Sequence, residues 1–124
     1  MTYREALETG TKELEKENIA DAKLDAWYLL QMACGIDRNF YYLHEEEEIP
    51  EEHLSTFQIT VKKRTEHVPL QYIIGEQEFM GLKFKVNSNV LIPRQDTETL
   101  VEEALKHIKP GMKVLDLCTG SGCI

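Results

Sequence analysis

Over its first 75 positions the chain repeats apolar residues at helical spacing, and the polar residues between them carry start and stop signals for four helices. Thr2, with Glu5 three residues on, has the pattern of a capping box. The helix it opens turns Ala6, Leu7 and Leu14 toward a core, and Asn18 ends it. A second helix begins after Asp21, carries Leu24, Trp27, Tyr28, Leu30 and Cys34 on one stripe, and meets Gly35 where a left-handed cap is wanted. Asp37 caps a short third helix with Phe40, Tyr41 and Leu43. A fourth starts near Pro50, lines up Leu54, Phe57 and Val61, and must stop before Pro69. Short connections of this kind predict a compact helical bundle over residues 1–75.

The period then changes. Between Glu78 and Val86, Phe79, Leu82, Phe84 and Val86 alternate with Gly81, Lys83 and Lys85, the pattern of a β-hairpin, which makes residues 76–90 a linker. After Val90, Leu91 and Ile92, Pro93 breaks the extended run, and Asp96 is placed to cap a helix with Leu100, Val101, Ala104, Leu105 and Ile108 on one face. Pro110 and Gly111 end that helix. The β-favouring run Met112 to Leu117 leads into Cys118-Thr119-Gly120-Ser121-Gly122, and a strand that flows into a glycine turn normally feeds a helix lying on a parallel sheet. The expected fold is mainly α: a helical bundle, a hairpin linker, and over 91–124 the first helix and strand of a Rossmann-like α/β domain that is cut short at Ile124.

Composition narrows the classes. No apolar run approaches the eighteen or so residues of a membrane span, and Met1 to Glu8 is charged where a signal peptide is apolar, which predicts a cytoplasmic address without membrane partners. A net charge of −8, against a basic cluster of only Lys62, Lys63 and Arg64, disfavours direct nucleic-acid binding. Cys34, Cys118 and Cys123 form an odd set without a CxxC pair, and His44, His53, His67 and His107 lack ligand spacing, so no disulfide framework or metal site is expected. The acidic run Glu45 to Glu48 reads as a solvated loop sooner than as a docking surface, and Trp27 and Tyr28 as core sooner than as a partner-binding face.

The candidate chemistry sits in the glycine turn. Gly120 and Gly122 let a cofactor approach the backbone, and the amides that follow would face it. Asp116 at the end of the preceding run would repel the diphosphate of a nicotinamide or flavin dinucleotide, whereas S-adenosylmethionine brings an ammonium and a sulfonium. The acid thus favours the methyl donor, with capping of the turn as its alternative role.

These residues have a familiar setting. Pro69-Leu70-Gln71-Tyr72-Ile73-Ile74-Gly75, Phe79-Met80-Gly81-Leu82-Lys83-Phe84, Val90-Leu91-Ile92-Pro93-Arg94, Thr97-Glu98 and Leu100-Val101-Glu102 together resemble the HemK/PrmC family of protein-glutamine methyltransferases. The resemblance covers the whole chain and implies a helical domain that helps to recognise peptide-chain release factors, a hairpin linker, and a domain that methylates the side-chain amide of the glutamine in their Gly-Gly-Gln motif. By position, Cys118, Thr119, Gly120, Ser121 and Gly122 would line S-adenosylmethionine with Asp116 behind them. Arg94 would lie near the cleft, or else serve as a buried structural arginine. The family often has proline where Gln95 stands and glycine where Cys118 stands. Its Asn-Pro-Pro-Tyr motif, which holds the substrate glutamine, is expected beyond Ile124, so no catalytic residue is assigned here and the 124 residues alone are expected to be inert. Two other readings remain: a helical module that recognises release factors by itself, and a nucleic-acid adenine methyltransferase, whose cofactor loops are similar.

Overall fold

In a computed structural model describing residues 1–124, the chain is mainly helical and divides into two compact units, Met1–Ile74 and Gly75–Ile124. The first holds α1 (Tyr3–Lys16), α2 (Ala22–Cys34), α3 (Arg38–His44), α4 (Glu51–Thr65) and α5 (Leu70–Ile74). The second holds β1 (Glu76–Phe79), β2 (Leu82–Lys85) and α6 (Gln95–Leu105). No helix is long and apolar enough to cross a membrane.

Over the first three helices the start and stop signals act where the sequence places them. The Thr2 hydroxyl accepts from the Glu5 amide at 3.2 Å while the Glu5 carboxylate accepts from the Thr2 amide at 2.9 Å, completing the box. Asn18 ends α1 with φ 58°, and Gly35 caps α2 with φ 64°, its amide donating to the Gln31 carbonyl at 2.8 Å. Asp37 caps α3 by accepting from the Phe40 amide at 2.7 Å.

Helices α1, α2 and α4 pack on one another, and α5 lies against α2 and α4. Their core joins Leu14, Leu29, Leu30, Trp27, Phe57 and Val61, each worth about 1.5–3 kcal/mol in removed apolar surface. Gly10 lets α1 and α4 approach: a Cβ there would sit 2.7 Å from the Phe57 ring. Two expected stripes are corrected. Leu24 and Tyr28 of α2 are exposed while Ala22, Ala26 and Leu29 are buried, because α2 has a neighbour on each side and the arc between them, not the sequence stripe alone, sets its inner face. In α3 only Tyr41 is buried, and Phe40 and Leu43 are exposed, since a helix of 7 residues covers the bundle with a single face.

The acidic run is not simply solvated. Backbone amides of Tyr3 and Arg4 donate to the Glu47 and Glu45 carbonyls at 3.2 and 3.0 Å, and Ile49 donates to the Met1 carbonyl at 3.1 Å. Arg4 pairs with Glu45 and Glu46, and the Met1 amine with Glu48 at 2.6 Å, a hydrogen bond that raises the amine's pKa. Glu45 to Glu48 thus fasten the first residues of the chain.

In the second unit the hairpin pairs Phe79 with Leu82 and Gln77 with Phe84, which puts the apolar residues on one face and the pairs Glu78–Lys83 and Glu76–Lys85 on the other. Its two-residue turn has φ 51° at Met80 and 76° at Gly81, a type I′ geometry matched to the twist of the strands. The expected strand over Met112 to Leu117 does not form: these residues are irregular, exposed, and paired with no strand. A parallel strand needs neighbours to satisfy its backbone groups, and this chain supplies none there. The expected cap at Asp96 is also corrected, for Arg94 occupies the cap position of α6 without a side-chain bond and Asp96 lies in the first turn, where its charge favours the helix dipole.

Candidate functional site

The run from Gly111 to Gly122 begins and ends in turns and is irregular between them. Gly111 has φ 84°, and the Met112 amide closes on the Lys109 carbonyl at 3.2 Å. Farther on, the Thr119 hydroxyl donates to the Asp116 carboxylate at 2.7 Å, and the Gly122 amide donates to the Thr119 carbonyl at 3.0 Å. These two bonds bring together Asp116, Thr119 and Gly122 of the expected site residues. Cys118, Gly120 and Gly122 all have left-handed backbones, with φ 58°, 61° and 81°. For the glycines this conformation carries little penalty; for Cys118 it costs about 1–2 kcal/mol. A Cβ built on Gly120 or Gly122 would meet nothing within 4 Å, so within this chain their need is conformational and the space above them is open.

Asp116 therefore holds the turn through Thr119, the role that the sequence left as its alternative, while its carboxylate stays exposed. The two roles are compatible. An open left-handed turn beside an exposed acid suits a small cationic ligand that approaches the backbone, and its charge opposes a diphosphate by about 1–4 kcal/mol at 4 Å. The residues thus fit S-adenosylmethionine in charge and in room. Ser121 is half-buried in the same turn. Arg94 is exposed at the start of α6, and no hydrogen bond or ion pair joins it to the turn.

Sequence reading missed three polar links. Arg64, taken with Lys62 and Lys63 as a basic cluster, turns inward: its Nε donates to Asp25 at 2.9 Å and its Nη1 to the Val68 carbonyl at 3.0 Å. Asp25 is buried on the inner face of α2, and an acid between Ala22, Ala26 and Leu29 was the available signal. In the second unit the Met80 amide donates to the Glu98 carboxylate at 3.2 Å. In the bundle, Cys34 is half-buried with its thiol pushed up to about 11 by desolvation, and the His53 Nδ1 is buried with no hydrogen-bond partner.

A family profile described as PrmC N-terminal domain matches residues 5–75. Curated relatives named release factor glutamine methyltransferase match across both units. The one from Geobacter sulfurreducens is 42% identical over 123 residues, 99% of this chain and 43% of the relative. That from Moorella thermoacetica is 40% identical over 126 residues, 100% of this chain and 44% of the relative. A third, from Thermodesulfovibrio yellowstonii, is 49% identical over 84 residues, 64% of this chain and 30% of the relative. The chain therefore spans less than half the length of these relatives.

Proposed function

This chain belongs to the PrmC N-terminal domain family, and from that premise we propose that it is the front portion of a methyltransferase that uses S-adenosylmethionine to methylate the glutamine side-chain amide in the Gly-Gly-Gln motif of release factors. The observation that carries this reading is similarity that runs, in one alignment, through the helical unit and on into the glycine turn. In this proposal residues 1–75 recognise the release factor, residues 76–90 link, and residues 91–124 begin the methyltransferase domain.

The cofactor supplies a methyl group already activated on a cationic sulfur. This chain's contribution is to receive it. Asp116, Cys118, Thr119, Gly120, Ser121 and Gly122 form its binding turn: Thr119 orients the Asp116 carboxylate toward positive charge, and the two glycines keep side chains out of the way. Arg94, exposed at the start of α6, lines the cleft. The 124 residues contain no Asn-Pro-Pro-Tyr acceptor for the substrate amide, so positioning of the glutamine, the larger part of the rate effect for such a displacement, is not theirs to supply. The chain alone is inert in this account.

The reading is tested with labelled S-adenosylmethionine and a release factor. No transfer is expected from the 124 residues, and transfer to the Gly-Gly-Gln glutamine is expected from a chain of the relatives' full length. In the latter, Asp116→Asn should weaken cofactor binding on the order of tenfold by calorimetry. Uptake of a nicotinamide dinucleotide in place of the sulfonium compound would refute the assignment.

A second reading, a recognition module that works without the rest, is favoured by one observation: the hydrophobic cluster is completed inside Met1–Ile74. Binding of a release factor by residues 1–74 as tightly as by the longer protein would support it; affinity that appears only with the catalytic domain would not.

A further inference from the structure

The hairpin turn presents an amide that its own ladder cannot use. Pairing ends at Phe79–Leu82, and Met80 lies between them in a left-handed conformation that costs a side-chain-bearing residue about 1–2 kcal/mol. Its amide is part-buried and finds its acceptor 18 residues away, in the Glu98 carboxylate. Glu98 stands in the first turn of α6, where a negative charge is stabilised by the helix dipole. The base of the hairpin is closed as well, by the Val86 amide on the Gly75 carbonyl at 2.9 Å, and Val86 and Phe79 are buried.

Between these two anchors runs the 87–94 loop. It is built of turns: the Asn87 side chain accepts from the Asn89 amide at 2.9 Å, and the Asn87 carbonyl accepts from Val90 at 3.2 Å. It enters α6 with the Thr97 amide on the Arg94 carbonyl at 3.1 Å. One end of the loop leaves the hairpin and the other begins the helix, so a bond between hairpin and helix restrains both.

We propose that Glu98 is a positioning residue: its carboxylate fastens the hairpin turn to α6 and thereby fixes the loop that presents Arg94. This rests on the reading of Arg94 as a cleft residue, because only there does the placement of the loop bear on turnover. A group held about 1 Å away from its working position can reduce a displacement rate a hundredfold. Restraint at both ends of a short loop is a direct way to prevent that.

The experiment has two arms. In the 124-residue chain, Glu98→Ala is expected to speed amide exchange at Met80 and across residues 88–95 on the order of tenfold, with α6 amides from Val101 to Leu105 unchanged. Glu98→Gln, whose amide oxygen still accepts, should restore protection; Glu98→Asp, one methylene short, should not. In a chain of the relatives' full length, Glu98→Ala should lower kcat for methyl transfer by roughly tenfold and Glu98→Gln should recover it. Unchanged Met80 exchange in the alanine variant overturns the proposal, as does failure of glutamine to rescue, or loosening of α6 and the hairpin together. If the unsubstituted full-length chain transfers no methyl group, the functional reading fails while the exchange arm still decides the role of Glu98.

Discussion

The helical unit gathers thirteen buried hydrophobic residues into one cluster, from Tyr3 to Val61, whereas the second unit buries two, Phe79 and Val86. Their sequences do not differ to that degree. The α6 stripe of Leu100, Val101, Ala104 and Leu105 is as well spaced as that of α4, yet Leu100 is 60% exposed and Phe57 3%. Periodicity says which face of a helix is apolar, but burial requires a second surface. For α1, α2 and α4 that surface lies within about fifty residues in the chain, and for α6 the described residues supply little of it. The β-favouring run from Met112 to Leu117 stays unpaired for the same reason.

The largest effect that would sharpen this contrast is a cavity. Leu30→Ala, at a fully buried position, should cost about 2–5 kcal/mol of unfolding free energy, whereas Leu115→Ala, at 80% exposure, should stay within about 0.5. Urea unfolding followed by helical circular dichroism measures both, and equal losses would break the comparison. Next comes the polar link inside the bundle. Asp25→Ala leaves the Arg64 guanidinium mostly buried without its carboxylate and should cost about 2–3 kcal/mol in the same assay. A loss as small as that of a surface pair would show that the contact is solvated in solution.

A smaller effect is expected in the second unit. Cys118→Gly removes about 1 kcal/mol of left-handed strain and should slow amide exchange over residues 118–122 without shifting the unfolding of the bundle. Faster exchange there would show that the side chain supports the turn. The last contrast sets one thiol in each unit against the other. Burial pushes the Cys34 thiol from 9.0 to about 11, so the folded chain keeps a proton that the unfolded chain releases. That contribution to stability is complete below about pH 9 and is lost as pH rises toward 11. At pH 8, iodoacetamide should modify exposed Cys118 at least about tenfold faster than Cys34, a gap that closes in denaturant.

Much of the fold was legible because its signals are local. The Thr2–Glu5 box, the Gly35 cap, the Asp37 cap and the hairpin each depend on residues a few positions apart. Helix α5 was not legible, since 5 residues show no period; its first turn is set by the Pro69 carbonyl, which accepts from Tyr72 and Ile73. The left-handed backbone at Met80 was equally hidden, because methionine carries no preference for it and the turn alone imposes it. At the candidate site, the glycine turn and its acid were visible as residue types at fixed spacing. The Thr119 bond that orients Asp116 was not, for it depends on how the loop folds back on itself.

By itself the sequence determined the limits of the first three helices, the place where helical periodicity yields to a hairpin, the acid beside the glycine turn, and the resemblance that names a family. Tertiary structure alone decided which arc of α2 is buried, that Arg64 turns inward to Asp25 while Lys62 and Lys63 stay in water, that the acidic run fastens the N-terminus, and that Glu98 reaches the Met80 amide. Caps and turns are settled by neighbours along the chain, within reach of one or two bonds. Burial and long-range polar pairing depend on which surfaces meet, and that is a property of the packed molecule.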